Sequence, residues 1–282
     1  NKKKEYADQN FDDPFLTALA EGGFQVGELA KYMFCDDPVA DKITIDTLDA
    51  EEALRRTEEM LARPGKVVIA EAAFKYNNLF IRADIIVKEG ELLKVYEVKA
   101  KSFDGEGEEE DEMESGEKQK EKFVSKNKST GQEQVTANWA PYLYDLAFQK
   151  YVITKSKPYF RVEANLLLVN KNATATVDGL NQKFKISRDG KITRVLTPVG
   201  LKASDLGENI LEPIDMDIII GKIWNEYPVP TDYKAGLGFE EFVKICEDVY
   251  VNNKRVYTSL GKKCRNCQFT KGANDPTELK SG

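Results

Sequence analysis

Residues 93–100 read Leu-Lys-Val-Tyr-Glu-Val-Lys-Ala. Side chains of an extended chain alternate between faces, so Glu97 and Lys99 fall on the same face as Leu93 and Val95. A carboxylate and an amine thus interrupt a face that apolar residues mark for burial. An ordinary strand turned toward solvent is one reading. The other is chemistry. Carboxylates gathered around a divalent cation activate water against a phosphodiester, and a nearby Lys orients that water and offsets developing charge.

A second carboxylate comes from the preceding strand. A turn at Lys88-Glu89-Gly90-Glu91 makes Leu79–Val87 and Leu92–Ala100 a hairpin. A two-residue turn at Glu89-Gly90 puts Asp84 opposite Val95 and diagonal to Glu97, while a four-residue turn puts it opposite Glu97 itself. Either register brings Asp84 and Glu97 to one face, and an odd turn separates them. Asn77-Asn78 suits a two-residue turn because Asn tolerates positive φ. Glu71 then lies opposite Asp84. Like charges so opposed repel unless a cation sits between them, which makes Glu71 a third candidate ligand.

The chain has no His. Imidazole-based acid–base catalysis, Ser-His-Asp and Cys-His arrangements, and zinc sites that need imidazole are therefore excluded. Hydrolysis here must use carboxylates, Lys and metal.

The elements around these strands follow from periodicity and punctuation. Residues 14–34 read as a helix, with Pro14 at its first position and Asp12 and Asp13 near its positive end, although Gly22-Gly23 weakens its middle. A second helix covers 48–63, opened near Asp49 and ended by Pro64-Gly65. Strands Lys66–Tyr76, Leu79–Val87 and Leu92–Ala100 form a meander. Segment 103–131 is acidic, then Lys-rich, and poor in apolar residues, so it reads as a flexible charged insertion through which a protein partner can dock. A helix is predicted over 133–155, and a strand over Phe160–Val169 whose Leu166–Val169 run implies burial on both faces. Weaker strands lie near 183–187 and 191–196, with helices near 214–225 and over Phe239–Val251. That order predicts an α/β domain with helices on both sides of a mixed sheet.

Ile81-Arg82-Ala83-Asp84 followed by Glu97-Val98-Lys99 resembles the D…E-x-K signature of the PD-(D/E)XK nuclease superfamily, in which a meander after a helix carries the site. The resemblance implies an α/β three-layer restriction-endonuclease-like core, with an antiparallel meander in a mixed sheet flanked by helices. It would span 1–252, leaving 253–282 as a Cys-containing C-terminal segment. Asp84, Glu97 and the Val98 carbonyl would bind Mg²⁺ or Mn²⁺, and Lys99 would be the catalytic lysine. Gln149, four residues after Asp145, resembles the Gln that RecB-like and CRISPR-associated exonucleases of this superfamily carry on the helix after the E-x-K strand. Their Tyr four residues further on is Ile153 here, and the nearest Tyr is Tyr151. Gly23-Phe24-Gln25-Val26-Gly27-Glu28 resembles their G-x-x-[VI]-H-E segment, with Gly27 in place of the metal-binding His. Glu28, Gln25 or Glu21, which share one helical face, would stand in. The activity so implied is hydrolysis of DNA, single-stranded ends foremost, in repair, recombination or defence.

Cys264 and Cys267 form a C-x-x-C, and Cys35 and Cys246 are the other thiols. The resemblance points to a bacterial branch with a [4Fe–4S] cluster held by one Cys before the core and three after it. Cys264 and Cys267 match part of that group, so the chain would be cut at both ends through its cluster ligands. Cys35 and Cys246 could complete a site instead, and two free thiols in a loop is the plainer reading. No apolar h-region follows Asn1 to Glu5 and no run nears the roughly 18 apolar residues of a membrane span, so a cytoplasmic protein without a membrane partner is expected. A net charge of −7 and pI near 5.1 argue against a broad basic face coating DNA, though not against a local site.

Overall fold

The computed structural model of the chain describes residues 13–36, 38, 43–104, 123–127, 131–189, 192–230, 236–256, 264 and 267–271. Helix α1 spans Pro14–Phe34, with Asp13 accepting hydrogen bonds from the amides of Phe15 and Leu16 at its N-cap. Helix α2 spans Ala50–Leu61; Asp49 caps the amide of Glu52, and Glu51 and Glu52 sit in the first turn where the dipole favours them. Three strands follow: β1 Val67–Tyr76, β2 Leu79–Glu89 and β3 Leu92–Phe103. The first turn is the predicted two-residue one, Tyr76 pairing with Leu79 and Asn77 taking φ 53°. The second turn is Gly90-Glu91, between Glu89 and Leu92, with Gly90 at φ 62°. That gives the register in which Asp84 stands across from Glu97.

The predicted flexible insertion lies outside the described residues for 105–122 and 128–130. Its two ends are built into the fold, a correction to the sequence reading. Strand β3 runs on to Phe103, whose ring stacks on Phe123 with centroids 5.3 Å apart. Phe123 is 1% exposed and also meets Trp139 at 4.8 Å. Strand β4, Val124–Lys126, then pairs with β5, Glu133–Val135. The predicted helix from 133 therefore starts only at Ala140, as α3, Ala140–Ser156, with Pro141 in its first turn.

Strand β6, Arg161–Asn170, runs parallel to β3. Its Leu166, Leu167 and Leu168 are all fully buried, as a central strand covered on both faces requires. A hairpin of β7, Lys185–Asp189, and β8, Ile192–Leu196, stands apart as its own two-stranded sheet. Strand β9, Leu211–Asp215, closes the main sheet antiparallel to β6. The predicted helix from 214 is therefore shorter, α4 at Asp217–Asn225, because Ile214 and Asp215 are used in the edge strand, whose central residue is Pro213. Helix α5 spans Phe239–Val251.

The sheet order is β1-β2-β3-β6-β9. One face packs against α2, α3, α4 and α5 through Ile69, Ile86, Leu93, Val95, Leu166 and their neighbours. The other face packs against α1 through Ala30, Ile85, Tyr96 and Leu167. The architecture is α/β, a mixed sheet with helices on both sides. Among the described residues no helix is long and apolar enough to cross a membrane.

Two features depart from local preference. Glu71 interrupts β1 at φ 59°, a left-handed conformation worth roughly 1–2 kcal/mol against a residue with a Cβ. Helix α1 carries Gly22, Gly23 and Gly27 in its interior, each about 1 kcal/mol worse than Ala there. Glu71, Gly23 and Gly27 line the same cavity.

Candidate active site

The β2–β3 ladder ends at the pair Ile85 and Tyr96. One residue further on, the strands part. Asp84 spans the gap with its side chain, Oδ2 accepting the Val98 amide at 2.8 Å. Among the described residues no donor reaches Oδ1. Burial pushes the Asp84 carboxyl up to about 8; the negative charge of Glu97 adds to this, and the Val98 amide and Lys99 oppose it.

Glu97 is 4% exposed and turned toward α3. Its Oε1 takes the Lys99 ammonium, and its Oε2 accepts Gln149 Nε2 at 2.6 Å. Burial raises the Glu97 carboxyl above its usual range against the pull of Lys99 and Gln149. Burial alone would lower Lys99, but Glu97 and, beyond it, Asp84 and Asp145 hold the amine above its usual value. Lys99 also lies 3.9 Å from an oxygen of the half-exposed Asp145 and 5.6 Å from the ring centre of Tyr142. Gln149 is 5% exposed, and among the described residues its Oε1 has no partner. Glu97, Lys99 and Gln149 thus meet on the α3 side where β2 and β3 diverge, and the charges of Glu97 and Lys99 act on Asp84 across the gap.

Asp84 and Val98 open onto a cavity of about 720 Å³ that α1 roofs with Gly23, Phe24, Gly27, Glu28 and Lys31. Glu71 and Asp46 line it too, and Thr193, Arg194 and Val195 of β8 form the far wall. Positions 71 and 84 stand across from each other in the register, but the left-handed backbone at Glu71 breaks the pair, and its carboxylate reaches Arg82 Nε at 3.4 Å. Arg82 also donates to the carbonyls of Ile45 and Thr47, which holds the segment bearing Asp46 against the sheet. Of the three acidic or amide residues expected on α1, only Glu28 faces the cavity, bonded to Lys31 at 2.6 Å. Gln25 is spent on the carbonyl of Phe184 at 2.6 Å and Glu21 on Arg188, both on the β7–β8 side.

Among the described residues no group of three or more His, Cys, Asp or Glu is placed to hold a metal ion. A closed protein cage of the zinc or calcium kind takes such a group. Mg²⁺ asks for less, because it keeps several waters and takes one or two carboxylates plus substrate phosphate. Asp84, with an oxygen that no described donor reaches and a second carboxylate across the strand gap, fits such an ion. Among the described residues the four cysteines are not gathered into one group. A [4Fe–4S] cluster takes four thiolates; Cys35 caps α1 and donates to the Lys31 carbonyl, and Cys246 lines an apolar groove on α5. Neither joins Cys264 and Cys267 in a metal-holding group.

The sequence reading passed over Lys31, Asp46, Phe24 and Arg194 as cavity residues. Lys31 carried a signal, being three residues from Glu28 on one helix face. Arg194 carried none, since its place depends on how the β7–β8 hairpin docks. No protein-family model, curated protein or solved structure matches the chain.

Proposed function

We propose that the chain is a divalent-metal-dependent nuclease of the PD-(D/E)XK kind, built on a restriction-endonuclease-like core and hydrolysing DNA phosphodiester bonds, single-stranded ends foremost, in the cytoplasm. One observation carries the reading: two carboxylates, Asp84 and Glu97, sit one step past the last bonded pair of a hairpin, with the Lys99 amine on Glu97 and an open cavity on Asp84. Nothing in packing calls for three charged groups at that point of a sheet. Like charges so placed repel unless a cation or proton lies between them.

Asp84, Glu97 and the Val98 carbonyl would hold Mg²⁺ or Mn²⁺, with Glu28 and Glu71 lining the approach. Bound there, such an ion supplies a Lewis acid for a phosphoryl oxygen and acidifies water. The protein's own groups do the rest. Lys99, held protonated by its carboxylate neighbours, orients the attacking water and offsets charge on phosphorus. Gln149 fixes Oε2 of Glu97, so the carboxylate keeps one orientation. The Val98 amide does the same for Asp84.

The test is cleavage of labelled single-stranded, duplex and circular DNA with Mg²⁺ or Mn²⁺ and with chelator. Divalent-dependent cleavage that is lost in Lys99→Ala and Glu97→Ala, with circular dichroism unchanged, is the expected result. Absence of cleavage on all three substrates, or full activity in either folded variant, overturns the reading.

A second reading is favoured by the bonding of Glu97, both of whose oxygens are already taken by Lys99 and Gln149. On it the chain is a nuclease-fold module that binds nucleic acid or protein without cutting. Calorimetric titration with Mn²⁺ separates the two: heat that disappears in Asp84→Asn supports the enzyme, and no heat supports the module.

A further inference from the structure

Strand β3 bulges immediately after Lys99. Lys99 pairs with Leu168 and Ser102 with Val169, so Ala100 and Lys101 are extra residues against a single step of β6. Bulges re-aim a side chain and recur beside active sites. The re-aimed side chain here is that of Lys101, whose ammonium lies over the Trp139 ring, 4.1 Å from its centre. The Asn138 carbonyl accepts one of its protons at 2.9 Å, and the Tyr142 ring centre is 5.2 Å away. Trp139 is itself buried against Phe103 and Phe123, so the seat of the ammonium belongs to the core.

Among the described residues no carboxylate pairs with Lys101. Lys99 differs: its charge is spent on Glu97, with Asp145 at 3.9 Å. The cavity on the α1 side offers two cations, and both have acids beside them. Lys31 is bonded to Glu28, and the charge of Arg194 acts on Asp46. With Glu71 and Asp84 on the same walls, that side repels a phosphate chain. In a chain of net charge −7, a phosphate must be met by a local cation that is not already neutralised.

We propose that Lys101 binds the phosphate next to the one that is cut, so that a nucleic-acid strand reaches the gap between Asp84 and Glu97 from the α3 side, past Tyr142. The inference rests on the nuclease reading for the class of ligand. The ammonium keeps donors to spare after its bond to Asn138, and a lysine serves a phosphate as a point charge. The half-exposed Asp145 is the acid that faces this approach, and its nearest cation is Lys99 rather than Lys101.

The test measures binding of a fluorescein-labelled oligothymidylate by anisotropy over a range of NaCl, with Ca²⁺ in place of Mg²⁺ and Mn²⁺, alongside circular dichroism. Lys101→Met keeps an apolar stem over Trp139 and removes the charge. It lowers the slope of log K against log salt by about 0.7, the share of one phosphate on a single strand, and weakens binding roughly five-fold near about 0.1 M salt. Lys101→Arg keeps the slope. Lys66→Gln removes a charge at the far end of the sheet, where Lys66 pairs with Glu89, and binds as wild type. An unchanged slope in folded Lys101→Met, an equal loss in Lys66→Gln, or no binding by the wild type overturns the contact. The two readings fail separately: cleavage by the wild type with an unchanged slope in Lys101→Met sinks the contact alone, and the loss of slope without cleavage by the wild type sinks the nuclease alone.

Discussion

Asp84 accepts the backbone amide of Val98 at 2.8 Å, so a side chain closes the ladder where β2 and β3 part. The bond ties the carboxylate to the residue between Glu97 and Lys99. The other oxygen of Asp84 has no donor among the described residues, and Asp84 lines the cavity.

That carboxyl is held at about 8 in the metal-free protein, by burial first and by Glu97 second, against the Val98 amide and Lys99. A folded-state value above the unfolded one means the fold keeps a proton that the unfolded chain releases near pH 4. The stabilisation is complete below that point and is lost as pH rises through about 8. In chelator, Tm should therefore fall from pH 5 to pH 9 more steeply in wild type than in Asp84→Asn. At pH 9 the variant should be more stable by at least about 1.4 kcal/mol, the worth of a tenfold difference in proton affinity between folded and unfolded chain. Parallel curves would show that Asp84 titrates as an exposed acid does. Added Mn²⁺ should reverse the order, because it takes the deprotonated form.

Gln149 is the buried donor on Glu97. Gln149→Ala leaves a carboxylate oxygen without its bond inside the protein, which costs roughly 1–3 kcal/mol in urea unfolding. Cleavage should drop about 10–100-fold, the usual effect of losing a partner that orients a ligand. Gln149→Glu should be worse, since a third carboxylate joins Asp84 and Glu97. A variant with unchanged stability and activity would mean that Glu97 needs no orienting partner.

How much of this was legible in the sequence depends on the range of the interaction. Asp84, Glu97 and Glu71 were placed by period-2 alternation and by turn residues within a few positions of them, and the β1–β2 register came out as the Asn77-Asn78 turn requires. Gln149 and Glu28 came from resemblance, and tertiary packing brings both beside the strands. The left-handed Glu71 was invisible, because no local rule asks a Glu for positive φ. Arg194 and Asp46 depend on long-range docking. The insertion was misread at its ends because composition averages over a window, and Phe123 is a single aromatic in a charged run.

Phe123 makes that error measurable. Its ring is 1% exposed, between Phe103 and Trp139. Phe123→Ala should cost about 3–5 kcal/mol by cavity formation, large enough to show in a chemical melt. A loss under about 0.5 kcal/mol is what an exposed loop residue gives, and would mean that the segment does not close over Trp139.

Glu71 sets stability against the site more sharply than any other residue of the cavity. Its left-handed backbone sits mid-strand, opposite Asp84, where Gly would be at ease and Glu is not. Its ion pair with Arg82 at 3.4 Å is half-exposed and too weak to repay that strain. Strained residues retained without a packing return cluster at functional sites. Glu71→Gly should therefore stabilise the protein by about 1 kcal/mol while weakening Mn²⁺ binding and cleavage, because the cavity beside Asp84 loses a carboxylate. Glu71→Gln keeps the strain and loses only the charge, so it should lower metal affinity with no gain in stability. If Glu71→Gly gains stability and Mn²⁺ binding is untouched in both variants, Glu71 plays no part in the metal site and its strained conformation needs another cause.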